Sequence, residues 1–168
     1  LRSYGYDNIP AFEPKPGPII KNRQDSILDK LKLGFVYSGF KELMHMPFVS
    51  IESFQQLNSK GWTAAELKNP INDNESLLRG SLFRSLFAAV NSNVKKGYTS
   101  IKVFEAGNVF KKEKSGFTQL LNLSGIIYHH EPQQTWSQKK LEYNFFSLKA
   151  EVYKLFQTLG MQNIAFKK

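Results

Sequence analysis

The 168 residues carry 41% hydrophobic side chains, among them 14 Phe, 7 Tyr and 2 Trp, which is enough for one domain with its own core and too little for two large ones. At 22% charged residues, disorder throughout is excluded, and the longest apolar run (residues 86–90) falls far short of the roughly 20 residues that span a bilayer. Without cysteine, these residues offer no disulfide, thiolate metal site or iron–sulfur cluster, which fits a reducing compartment. The formal charge of +9 invites a polyanionic partner, but 19 of the 23 basic residues are Lys, dispersed in short pairs. Lysine lacks the planar fork that reads phosphates and bases, so solvated faces explain this charge better than a nucleic-acid site.

Four of the seven prolines stand at positions 10, 14, 16 and 18. Proline has no amide donor and turns its predecessor away from helix, so an extended connector is expected here. Residues 1–20 then read as the tail of a preceding unit with its connector, and residues 21–168 as the main domain; a chain that starts with Leu rather than Met is expected to be a cut-out or processed segment. A first helix is expected over 23–35, capped by Asn22 with Asp25 as the capping-box acid, and with Ile27, Leu28, Leu31 and Phe35 on one apolar face. That face can be buried in the domain's own core or against a partner helix.

A strand is expected over 40–49, broken near Pro47, then a short helix carrying Ile51, Phe54 and Leu57. After the Asn69–Pro70 turn signal, Leu82, Phe83, Leu86, Phe87 and Val90 form a helical stripe ending near Val94. Residues 101–110 and 120–128 are the best strands, joined by a polar loop over 111–116 into an antiparallel pair. The last helix places Phe145, Leu148, Val152, Phe156 and Leu159 on one face, with Asn144 at its start and Gly160 at its end. This mixture predicts an α+β domain: an antiparallel sheet flanked by helices.

The motifs of common chemistry fail residue by residue. Gly34 and Gly39 have the spacing of a phosphate-binding loop, but Phe40 and Lys41 follow where Lys and Ser or Thr are needed. His129 and His130 are adjacent on a strand end and so point to opposite faces; His129 and Glu131 could converge, but the third histidine, His45, is distant in sequence. Glu105 alternates with Ile101, Val103 and Val109, which puts a carboxylate on an otherwise apolar strand face. It either faces a pocket or is satisfied by neighbouring amides or a lysine, the structural role being favoured.

Five ordered blocks resemble one family. Tyr-Gly-Tyr-Asp-Asn-Ile-Pro at 4–10 is similar to the close of the B5 domain in the bacterial phenylalanyl-tRNA synthetase beta subunit family. Gly-Phe-Lys-Glu-Leu at 39–43, Asn-Pro-Ile at 69–71 with Glu-Ser-Leu-Leu-Arg-Gly-Ser-Leu at 75–82, Phe-Glu-Ala-Gly-Asn-Val-Phe at 104–110, and Trp136 followed by residues 145–152 resemble successive signatures of that subunit's catalytic-like domain.

The resemblance implies a class II aminoacyl-tRNA synthetase-like fold whose C-terminal part lies beyond this chain. It implies an interface role for the first helix and strand, with Ile27, Leu31, Phe35, Phe40 and Pro47 as the candidate contacts. Where catalytic relatives carry Phe-Arg-x-Glu for the ATP phosphate, residues 110–113 read Phe-Lys-Lys-Glu, and lysine does not replace that bidentate fork. What the family then implies is a non-catalytic module, with no cofactor of its own, supporting a catalytic alpha subunit. ATP, magnesium and tRNA are used by the whole cytoplasmic enzyme, with no membrane involved. The alternatives are a lysine-rich RNA-binding module and an ATP-binding ligase domain in its own right, using Lys111 and Glu105.

Overall fold

The computed structural model describes residues 2–13, 15, 17–18, 23–56, 63–72, 75–130, 143–161 and 164–165, with side chains of the first helix from residue 26 onward. Asn22, the side chain of Asp25, Leu57, Glu131 and Trp136 lie outside the described residues, as do Pro14 and Pro16 of the connector. In chain order the helices are α1 (Arg23–Tyr37), α2 (Ile51–Gln56), α3 (Phe83–Lys95) and α4 (Phe145–Thr158). The strands are β1 (Lys41–Glu42), β2 (Phe48–Val49), β3 (Ala65–Glu66), β4 (Leu77–Leu78), β5 (Ser100–Glu113) and β6 (Gly116–His129).

The main sheet has the order β1-β5-β6, and a small second sheet the order β2-β4-β3. The β5–β6 hairpin dominates: its ladder runs unbroken from Ser100 opposite His129 to Glu113 opposite Gly116. The polar loop expected over 111–116 is therefore mostly strand, reduced to a two-residue turn at Lys114 and Ser115. Backbone pairing outweighs side-chain polarity there, because each added rung satisfies two polar groups of the main chain. The strand expected over 40–49 is broken before Phe48, as the proline indicated, and its two pieces lie in different sheets. β1 lies parallel to β5, whereas β2 pairs antiparallel with β4.

Period-2 alternation along β5 builds a core on each face. Phe104 points to α1 and α4, where it stacks on Phe35 at 4.6 Å and closes a cluster with Phe40 and Leu155. Val103 and Val109 point the other way, against Leu82, Leu86 and Val90 at and along α3. Of the stripe expected there, Phe83 and Phe87 remain exposed and stack on each other at 6.0 Å.

α1 ends where the sequence turns to glycine. Gly39 adopts φ +82°, its N–H donates to the Val36 carbonyl, and the Phe40 N–H donates to the Phe35 carbonyl. This is a Schellman closure, and the Phe35–Phe40 ring contact at 5.0 Å is its hydrophobic clasp. Gly160 closes α4 in the same way, while Asn144 and Ser147 form a capping box at its start. Lys102 fastens both helices to β5, donating to the Ser38 carbonyl at 3.2 Å and to Glu151 at 3.4 Å.

Candidate functional site

Among the described residues, the charged side chains buried in the interior are Glu105 and Arg79, 2% and 4% exposed. Glu105 lies on the α3-facing side of β5, as the alternation required. Arg79 follows directly after β4, in the other sheet, and its Nη1 donates to Glu105 Oε1 at 2.6 Å while its Nε donates to the Asn108 carbonyl at 3.0 Å. His45 completes the cluster: its Nδ1 lies 2.6 Å from Glu105 Oε2, and its backbone N–H donates to Oε1 at 3.4 Å. A carboxylate only accepts, so Nδ1 carries the proton.

Gly107 makes room for this arrangement. A Cβ there would lie 2.4 Å from Arg79 Nη2, inside any real contact distance. The guanidinium therefore crosses β5 where the strand has no side chain. Both oxygens of Glu105 are occupied, and a carboxylate so placed joins the two sheets and the 43–47 segment. A buried pair of this kind is costly to break, because the surviving charge has no solvent. The sequence raised Glu105 with a lysine or backbone amides as its partners. A backbone amide is among the donors, that of His45, and the side-chain donors are Arg79 and His45 rather than a lysine, 26 and 60 residues away. The available signal was an arginine directly after an apolar strand, with Gly107 two positions past the acid.

The candidate interface residues separate. Phe35 and Phe40 are core residues, packed on Phe104. Leu31 is half-buried and lines an apolar cavity of about 310 Å³ between α1, α4 and β6, with Leu123, Ile127 and Phe156. Pro47 is half-buried, and its carbonyl accepts from the Arg79 N–H at 2.8 Å. Ile27 is exposed. The outward face of α1 carries a second apolar set that periodicity on the inner face concealed: Leu33, Val36 and Tyr37, all exposed at i, i+3, i+4 spacing.

His129 packs its ring 5.0 Å from Tyr143. Among the described residues no group of three His, Cys, Asp or Glu gathers as a metal site. Lys111 stands near the outer end of β5, opposite Thr118. No helix among the described residues is long and apolar enough to cross a membrane.

The model of the phenylalanyl tRNA synthetase beta chain CLM domain matches residues 9–168. The chain belongs to this family. A phenylalanine–tRNA ligase beta subunit from Syntrophus aciditrophicus (strain SB) is 27% identical over 173 residues, covering 98% of this chain and 22% of its own length. The chain thus spans about a fifth of the curated relatives it matches. Among solved structures, a pyrrolysyl-tRNA synthetase from Desulfitobacterium hafniense superposes with a TM-score of 0.60 at 16% identity, covering 84% of this chain and 48% of that one. A histidyl-tRNA synthetase from Nostoc sp. PCC 7120 gives 0.58 at 14% identity, covering 80% and 30%. These likenesses show the fold, which is that of the class II aminoacyl-tRNA synthetases.

Proposed function

We propose that this CLM domain is a non-catalytic scaffold of a phenylalanine–tRNA ligase, supporting assembly of the beta subunit with a catalytic alpha subunit. The observation that carries the reading is the double-sided apolar character of α1. Its inner face supplies Phe35 to the core, and its outer face presents Leu33, Val36 and Tyr37 to solvent. A helix that is apolar on both sides belongs between two packed bodies, and this chain provides one of them. In this reading the interface moves across the helix from Phe35 to the opposite stripe. Glu105, closed off by Arg79 and His45, serves the architecture rather than a substrate.

In this reading residues 1–20 are the end of a preceding B5 module with its connector, and residues 21–168 are the scaffold domain. ATP, magnesium and tRNA are engaged by the whole enzyme, which works in the cytoplasm. The test is co-purification of this chain with the matching alpha subunit, its folding checked by circular dichroism and the mass of the complex resolved by light scattering. A stoichiometric complex is expected. A folded chain that forms none would contradict the scaffold reading, and binding of Mg·ATP to the chain alone would favour the ligase alternative.

A further inference from the structure

We infer, on the reading above that the whole enzyme engages tRNA, that the outer half of the β5–β6 hairpin is a stacking surface for unpaired RNA. The surface is the face that carries Phe117 and Lys112. Alternation puts Phe110 and Lys112 of β5 on the same face as Phe104, and Phe117 of β6 on the same face as Leu123. The inner half of that face is covered, because Phe104 and Leu123 pack with α1 and α4. Beyond Leu123 the described residues leave it open, and Leu121 and Phe117 are 52% and 62% exposed.

Phe117 is held rather than loose. The half-buried Phe110 braces it from one side, with ring centroids 6.2 Å apart and the planes at 60°. The unbroken ladder fixes the backbone beneath both rings out to the last pair, Glu113 opposite Gly116. A ring braced in this way and left in solvent is a preformed platform, and every base has a π-face to lay on it.

The charge beside the ring selects the occupant. Lys112 stands directly opposite Phe117, and Lys114 follows in the turn, both exposed. Residues 106–123 hold three lysines against one acid, Glu113, which alternates to the other face. Ring and cations therefore share a face that carries no carboxylate. An acidic peptide would satisfy the lysines and leave the ring without a partner, whereas unpaired RNA uses both. Lysine acts here as a point charge on phosphate, a role that needs no planar fork. Bases stacked inside a duplex do not reach a ring, so the strand is single.

The test uses the assembled enzyme with full-length beta subunit and a uridine octamer carrying one 4-thiouridine. Ultraviolet crosslinks are mapped by mass spectrometry, and the yield at residues 110–121 is titrated to give an affinity for this site alone. The wild type is expected to crosslink there. Phe117→Ala and Phe117→Leu should each weaken binding at this site about tenfold, since leucine restores apolar cover but no stacking face. Lys112→Ala with Lys114→Ala should lower the slope of log affinity against log salt by about 1.4, at about 0.7 per phosphate contact. The Phe117 variants keep the wild-type slope. Recovery of binding by leucine would overturn the stacking role, and an unchanged slope in the lysine variant would overturn the phosphate contacts. Equal crosslinking by the same uridines held in a hairpin duplex, or tighter binding of a deoxyuridine octamer, would overturn unpaired RNA as the occupant. Displacement of the octamer by a glutamate-rich peptide as readily as by unlabelled octamer would assign the surface to a protein partner, against the inference. An enzyme that retains tRNA on a filter yet shows no crosslink at 110–121 would overturn this inference alone; one that retains no tRNA would overturn the reading it rests on.

Discussion

Gly107→Ala isolates the buried ion pair with the smallest possible change. The new Cβ would lie 2.4 Å from Arg79 Nη2, and ordinary contact begins near 3.4 Å, so the guanidinium must retreat by about 1 Å. Arg79 is held at 2.6 Å to Glu105 and 3.0 Å to the Asn108 carbonyl, and a shift of that size breaks at least the first bond. A hydrogen bond to a charged group contributes about 1.5–3 kcal/mol, and leaving Glu105 buried beside a displaced partner raises the cost toward the 3–5 kcal/mol of a broken buried pair. A loss of about 3 kcal/mol is expected. Gly125→Ala is the control on β6: its Cβ would meet the Val103 carbonyl at 3.3 Å and Phe35 at 3.4 Å, contacts that small adjustments relieve. Urea denaturation followed by circular dichroism reads the difference. With a slope of about 2 kcal/mol/M, Gly107→Ala lowers the midpoint by about 1.5 M while Gly125→Ala moves it little. Equal midpoints for the two variants would refute the claim that Arg79 needs the space above Gly107.

Arg79→Met and Glu105→Leu should each cost about 3–5 kcal/mol, and the double variant clearly less than their sum, because it leaves no unpaired charge; additive losses by denaturation would contradict this. Leu86→Ala, in the fully buried row of α3, should cost about 2–5 kcal/mol, whereas Phe87→Ala on the exposed side of the same helix should cost about 0.5 kcal/mol, again by denaturation midpoints. Asn144→Ala removes the capping box of α4 and should cost about 1 kcal/mol, seen as faster hydrogen exchange in the first turn of that helix.

The elements with strong periodicity were legible in the sequence. α1, α3 and α4 and the β5–β6 hairpin stand close to where the pattern put them, because each buries a repeating apolar set and the three helices each end on a glycine, at Gly39, Gly97 and Gly160. β3 and β4 were not legible: two-residue strands have no period to detect, and they exist because β4 finds neighbours on both sides. The hairpin turn was misjudged because polar residues 111–113 look like loop while their backbone continues the ladder. For the candidate site, the sequence flagged Glu105 by its misplaced charge, yet not its partners, since Arg79 and His45 reach it only through tertiary pairing. Phe35 and Phe40 illustrate the same limit. Periodicity says that a face is buried, and only the fold says whether the chain or a partner buries it.

The central claim is that the outer face of α1 meets the alpha subunit. Its most direct test places a photo-crosslinking amino acid in the full-length beta subunit at Tyr37, which is 85% exposed on that face, and separately at Ile71, equally exposed in the segment before β4. In the assembled enzyme, Tyr37 is expected to crosslink to alpha and Ile71 to give no alpha product. Crosslinks to alpha from Ile71, with none from Tyr37, would contradict the assignment of this face.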